Sequence, residues 1–277
     1  MMTQTVSSHR HKEVIIVRHG QAQHNPRAEV ARANGCSMEE FIALMREDDA
    51  LDAALTEEGR RQARAARLAA SLAAPIQLVV SSSLSRALET ADHVHPPSTA
   101  PTTRHTRVCC EHFREINGDM LNAKRRTKSE LAASFPDWNW DELESEEDSL
   151  WTPILEEQDA AAERGYLGLR WLMERPEDHI VLVSHGGILR HMMSQHPLVV
   201  MRDERNESSS SSSVKKAVDS RFDNCELRRY RMSWMETPTT TTTTTPTPDH
   251  VVEDRRAIVL TQIDHDLVEE KELLTEV

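Results

Sequence analysis

No stretch of this 277-residue chain approaches the roughly 18 consecutive apolar residues of a membrane-spanning helix. The opening residues Met1 to Lys12 lack the apolar core of a secretory signal. A cytoplasmic protein with no membrane partner is therefore expected. Positive charge is also in short supply. Lys and Arg number 33 against 46 Asp and Glu, a formal net charge of −13. Long-range repulsion of a polyanion argues against a nucleic-acid partner, and any anion that binds must enter a locally basic pocket. Cysteine is scarce as well. Cys36, Cys109, Cys110 and Cys225 form neither a CxxC pair nor a disulfide framework, which points to a reducing compartment. The spacings of His9 with His11 and His93 with His95 would suit metal ligands, but no neighbouring acid or Cys completes a familiar site. No metal and no cofactor are expected. Internal repeats are absent.

What is present is an alternation of two periods. Val14–Val17, Ile76–Val80 and Ile180–Val183 are short continuous apolar runs rich in β-branched residues, the pattern of strands buried on both faces of a parallel sheet. Helical spacing follows the second run through Leu84, Leu88 and Ala91, and the third through Ile188, Leu189 and Met192. Thr56 can cap a helix that opens with Glu57 and Glu58 and buries Leu68 and Leu72. A further helix is expected from Pro153 to about Glu174, and another after Pro26. Thr106–Cys110, Arg228–Trp234 and Arg256–Ile263 read as additional strands, the last at a sheet edge. Such alternation specifies an α/β fold, a three-layer αβα sandwich around a mostly parallel central sheet. The six-serine run Ser208–Ser213 and the Thr/Pro tract Thr237–Pro248 cannot bury enough apolar surface to offset their ordering entropy. The expected division is a disordered tail over 1–12, one domain over 13–236 with a Ser-rich loop near 203–220, a Thr/Pro-rich linker over 237–254, and a C-terminal segment over 255–277 holding an edge strand and an acidic tail.

In an open parallel sheet, ligands bind outside the carboxyl ends of the strands. Those ends carry Arg18-His19-Gly20 after the first run, Ser81-Ser82-Ser83 leading to Arg86 after the second, and Ser184-His185-Gly186-Gly187 after the third. Two guanidinium forks and two imidazoles would converge there. Guanidinium donates paired hydrogen bonds to phosphoryl oxygens, and a positioned neutral imidazole can attack phosphorus. The leaving oxygen needs a proton, for which Glu111 and Glu115 are the candidates. The basic run Lys124–Lys128 can flank such a pocket, and the six acids within Asp141–Asp148 read as an exposed loop able to pair with it. Trp138, Trp140 and Trp151 read as packing anchors.

Arg18-His19-Gly20 with Asn25 is similar to the signature of the histidine phosphatase superfamily, the phosphoglycerate mutase-like proteins. The resemblance extends through Leu55-Thr56-Glu57-Glu58-Gly59, Ser83-Leu84-Ser85-Arg86-Ala87 with Thr90-Ala91, and Ser184-His185-Gly186-Gly187, over about residues 13 to 232. It implies that His19 becomes phosphohistidine, that Arg18, Asn25, Arg86 and His185 hold the phosphate of a small phosphorylated substrate, and that no metal takes part. It also implies that the acid is Glu115, because the family's acid is closely followed by a glycine, here Gly118. Lys124 to Leu131, Phe135-Pro136 and Asn224-Cys225-Glu226 resemble a eukaryotic branch of phosphoglycerate mutase-like phosphatases, although Asn122-Ala123 stands where many of those carry Cys-Asp. Gln21 replaces the Glu usual in mutases. Phosphate-monoester hydrolysis is the expectation, with a mutase and a phospho-ligand-binding module as alternatives.

Overall fold

The structure, a computed structural model, describes residues 11–70, 75–97, 105–204, 220–235 and 255–264. Seven strands form one sheet: β1 (Lys12–Arg18), β2 (Leu78–Ser81), β3 (Thr106–Cys109), β4 (His179–Ser184), β5 (Val199–Asp203), β6 (Leu227–Trp234) and β7 (Ile258–Asp264). Their order across it is β3-β2-β4-β1-β6-β7-β5. Pairing is parallel from β3 to β1 and again between β7 and β5, and antiparallel on both sides of β6. Among the described residues seven α-helices accompany the sheet: α1 (Pro26–Ala33), α2 (Met38–Glu47), α3 (Glu57–Ala70), α4 (Ser85–Val94), α5 (Lys128–Ser134), α6 (Gln158–Glu174) and α7 (Gly186–Ser194).

The three layers follow from the period of two in the central strands. Val14, Ile16, Leu78, Val80, Ile180 and Leu182 point to one face, where they pack with Tyr166 and Leu169 of α6 and Leu189 and Met192 of α7. Ile15, Val17, Val79, Val181 and Val183 point to the other, against Ala63 and Ala66 of α3 and Ala87 and Leu88 of α4. Each such side chain buried contributes about 1.5–3 kcal/mol, so both faces hold these strands in register and align their carboxyl ends. Trp138 and Trp140 pack in the second core as anchors.

Several expectations are corrected by tertiary pairing. β1 begins at Lys12, inside the expected tail, and the buried Lys12 Nζ donates to the carbonyls of Arg175 and Glu177, each at 2.6 Å. α6 begins at Gln158 rather than Pro153 because the preceding residues pair with another loop. Asp119 N–H donates to Thr152 O at 3.0 Å and Glu156 N–H to Asn117 O at 2.8 Å. The final strand is not at an edge. β7 lies between β6 and β5, so the sheet continues past residue 236 and its edges are β3 and β5. The expected Ser-rich loop core, the Thr/Pro tract and Leu72 lie outside the described residues, as does the side chain of Leu68.

The loop after β1 is pinned by backbone. An isolated bridge joins Ala22 to Leu55, Gln23 N–H donates to Ala54 O at 3.0 Å, and Thr56 N–H donates to Gln21 O at 2.9 Å. Thr56 caps α3 by accepting from Gly59 N–H at 3.0 Å. The two strands of this loop touch through glycine. A Cβ on Gly20 would lie 2.6 Å from Gly59 O, and one on Gly59 would strike Gln21 O. Gly59→Ala is therefore expected to cost about 1–3 kcal/mol through backbone overpacking, read as a lower urea midpoint. An unchanged midpoint would mean that the loop yields freely.

Candidate active site

His19 follows β1 directly, its N–H donating to Ser184 O of β4 at 2.9 Å. The ring is 2% exposed, and Nδ1 lies 2.6 Å from Gly20 O. A carbonyl only accepts, so Nδ1 carries the proton and Nε2 keeps its lone pair. Burial, then the charges of Arg86 and Arg18, hold the ring well below the usual histidine pKa, so the imidazole is neutral at physiological pH. The fold thus sets both the tautomer and the charge of a nitrogen nucleophile.

Around it stand donors with nothing to bond. Arg86, on the first turn of α4, is fully buried. Its Nη1 donates to Asn122 O at 2.6 Å, while Nε and Nη2 are buried without a partner. Desolvation lowers its pKa to about 10, which still leaves it charged. Arg18 donates through Nη1 to Phe222 O at 3.0 Å and through Nη2 to Glu29 at 2.7 Å. Its Nε is sealed and unpartnered. His185 follows β4 and is the N-cap of α7. Its Nε2 shares a 2.7 Å hydrogen bond with Ser82 Oγ, its Nδ1 has no partner, and its ring centroid is 4.8 Å from that of His19. An unmade buried hydrogen bond costs about 1–3 kcal/mol. Several of them clustered beside two guanidinium groups describe a pocket for a multiply charged oxyanion.

Of the two candidate acids, the structure brings only Glu115 to this pocket. Glu111 pairs with Arg114 at 3.1 Å and Arg125 at 2.8 Å. Glu115 instead lies across the N-terminus of α7. Its Oε2 accepts from Gly187 N–H at 3.1 Å, and its Oε1 accepts from Ile188 N–H at 2.9 Å and from its neighbour Ile116 at 3.0 Å. Its charge acts on Arg86. The second glycine of Gly186-Gly187 permits this approach, since a Cβ there would strike Glu115 Oε1. Asn25 serves the loop. Its Oδ1 accepts from Ala22 N–H at 3.0 Å and makes no side-chain cap on α1, so only its amide NH2 is left for a ligand.

The basic and acidic runs do pair, chiefly through Arg125. This guanidinium is buried among the carbonyls of Ser145, Glu146 and Glu147 at 2.8–2.9 Å. Asp148 closes the knot on Arg114 at 2.6 Å. Among the described residues no three His, Cys, Asp or Glu side chains converge as a metal site requires, and none of the helices is long and apolar enough to cross a membrane.

One residue at the site was not singled out by the sequence. His24 is 3% exposed, close enough that a charge on it would lower the pKa of both His19 and His185. Burial, then Arg86 and Arg18, keep it well below the usual histidine pKa. A histidine in a loop of Gln and Asn carries no periodic signal. Only its place in the pinned segment that follows His19 could have marked it.

Comparison with known proteins bears on this arrangement. Residues 14–203 match the sequence model of the histidine phosphatase superfamily (branch 1). The chain is 31% identical over 247 residues to phosphoglycerate mutase-like protein 1 of Arabidopsis thaliana, covering 79% of this chain and 80% of that protein. It is 27% identical over 247 residues to a second phosphoglycerate mutase-like protein of the same plant, covering 79% of this chain and 84% of that one. A solved structure described as mycobacterial hydrolase 2 aligns over 96% of this chain and 98% of its own at 20% identity and a TM-score of 0.46, a likeness that carries nothing about function.

The three buried, neutral histidines set a pH dependence of stability. Their folded pKa values lie below the unfolded value of 6.5, so between those limits the unfolded chain binds more protons. Stability is then full above about pH 6.5 and falls as pH drops, by up to about 1.4 kcal/mol per pH unit for each histidine. Urea midpoints measured from pH 7.5 to 5 should decline. A flat profile would show that these rings accept protons without loss.

Proposed function

Because the chain belongs to the histidine phosphatase superfamily, we propose that it is a phosphatase that hydrolyses phosphate monoesters through a phosphohistidine on His19. The observation that supports this reading most is the lone pair left on His19 Nε2 by the Nδ1 bond to Gly20 O, in a pocket whose Arg18, Arg86 and His185 hold unpartnered nitrogens.

In the first step Nε2 attacks phosphorus and the bond from phosphorus to the ester oxygen breaks. Glu115, as the acid, gives its proton to the departing oxygen, and the alcohol leaves. Arg18 and Arg86 neutralise the charge spread over the non-bridging oxygens, which is the main demand of phosphoryl transfer. In the second step Glu115, now a carboxylate, takes a proton from water as the water oxygen attacks phosphorus. The bond from phosphorus to Nε2 breaks, inorganic phosphate forms and His19 is restored. Transfer back to a second hydroxyl of the same substrate would make a mutase. Gln21 hydrogen-bonds to Thr56 Oγ1 at 2.8 Å and brings no carboxylate to the site.

Phosphate release from a panel of phosphorylated sugars, glycerates, nucleotides and phosphopeptides, with chelator present, tests this reading. His19→Ala should abolish turnover, and retained activity would sink the mechanism. Glu115→Ala should slow alkyl phosphates by about 10²–10⁴-fold, the range of general-acid catalysis, and nitrophenyl phosphate much less, since that leaving group needs little protonation. Equal losses on both would remove Glu115 from the acid role. Isomer conversion without released phosphate would establish a mutase.

A further inference from the structure

The phosphatase reading leaves His24 unused, and its surroundings are those of a ligand-binding group rather than a packed histidine. Buried polar groups are normally hydrogen-bonded, and the other buried histidines away from the site follow that rule. His196 binds Glu163 through Nε2 at 3.1 Å and accepts from Leu198 N–H through Nδ1 at 3.2 Å. His191 binds Gln195. At His24, Nδ1 is sealed from solvent with no partner. Nε2, equally without a protein partner among the described residues, keeps a small accessible surface.

The backbone that carries this ring is pinned. Its loop is held on one side by the Ala22–Leu55 bridge and on the other by Asn25, which both donates to Ala22 O at 2.9 Å and accepts from Ala22 N–H at 3.0 Å. The charges that reach the ring are Arg86 and Arg18, both cations. No carboxylate among them would hold it as an imidazolium. A neutral imidazole offers one donor and one acceptor. In a pocket whose other free nitrogens are donors aimed at an oxyanion, the reachable Nε2 is the donor.

Resting on the phosphatase reading, we propose that His24 binds substrate directly, its Nε2–H donating to a non-bridging oxygen of the phosphoryl group, as a neutral ligand beside the two guanidinium groups. A neutral donor has a particular use here. It adds a hydrogen bond to a dianion without adding a third positive charge, which would repel Arg18 and Arg86.

The test is titration of the full chain with inorganic phosphate, which requires no turnover. His24→Phe removes both nitrogens, His24→Asn places an amide nearer the Nδ1 position, and His24→Gln places one near Nε2. Loss of a hydrogen bond to a charged group should weaken phosphate binding about 10- to 100-fold in the Phe and Asn variants. Gln should stay within about threefold of the parent, because its NH2 is again a donor. With nitrophenyl phosphate the loss should fall on KM rather than kcat, as for a contact made equally in ground and transition states. Phosphate affinity unchanged in His24→Phe would overturn the proposal, as would equal loss in all three variants, which marks a packing role. In case the variants fold poorly, the assigned His24 ring ¹⁵N signals of the unmodified chain give a second readout. Nε2 must be the protonated nitrogen and must shift as phosphate is added, and no shift overturns the assignment. If the unmodified chain binds no phosphate, the phosphatase reading falls together with this one. Binding that is indifferent to His24 removes only this one.

Discussion

A guanidinium taken wholly out of water, with two of its nitrogens left unbonded, is the constraint around which this molecule is arranged. Arg86 has one strong hydrogen bond, to Asn122 O, and desolvation has already cut its basicity. A charge in that condition is tolerable only if the surrounding frame prevents it from relaxing outward. The frame is built accordingly. Asp52, buried beneath the start of α4, accepts from Ser85 N–H at 2.8 Å and from its hydroxyl. Asp49 accepts from Leu121 and Asn122 N–H at 2.7 and 2.8 Å. Thr90 Oγ1 donates to Arg86 O at 2.7 Å and accepts from Gly20 N–H at 3.1 Å. The helix that carries the arginine, the loop that receives its one bond and the loop that carries His19 are thus fixed to one another.

A second charge network leaves Glu115 free of the neighbouring arginines. Arg114 and Arg125 are fully buried side chains that need partners of their own, and Glu111, Asp148 and the carbonyls of 145–147 meet that need. Glu115 sits one residue beyond Arg114 yet takes its hydrogen bonds from the backbone of α7. An arrangement in which Glu115 neutralised Arg114 would take its carboxylate away from the N-terminus of α7. The acidic run that reads as a solvated loop therefore does structural work for the site through Asp148 and its carbonyl groups.

How far the sequence reveals this depends on whether a feature is local. The runs Val14–Val17 and Ile180–Val183 announce buried strands because both of their faces are apolar, and Leu84, Leu88 and Ala91 announce a helix by spacing alone. Arg18, His19, Arg86 and His185 are legible because each sits where such a run ends. β5 is not legible, since Val199–Asp203 is short, half polar and paired only with a strand far along the chain. α2 escapes notice despite the capping box of Ser37 with Glu40, because no residue of the helix is buried. That Glu111 and Glu115 have different partners turns on the meeting of Glu111 with Arg125, a contact between residues 14 apart, and the state of His24 depends on what fails to touch it. Neither is a property of local pattern.

The place of β7 has a consequence for how the chain reaches its final form. β6 and β7 are neighbours across the segment 235–257, and β5 is joined to the sheet only through β7. Until residues 258–264 have left the ribosome, β5 has no strand to pair with and β6 presents an open edge beside the finished half of the sheet, a template for wrong association. The half that carries the candidate site, β1 to β4 with its helices, is synthesised by residue 194 and can assemble first. Completion then waits on one late, long-range pairing, the kind of contact that slows folding, and the two halves of the sheet mature at different times during a single round of translation.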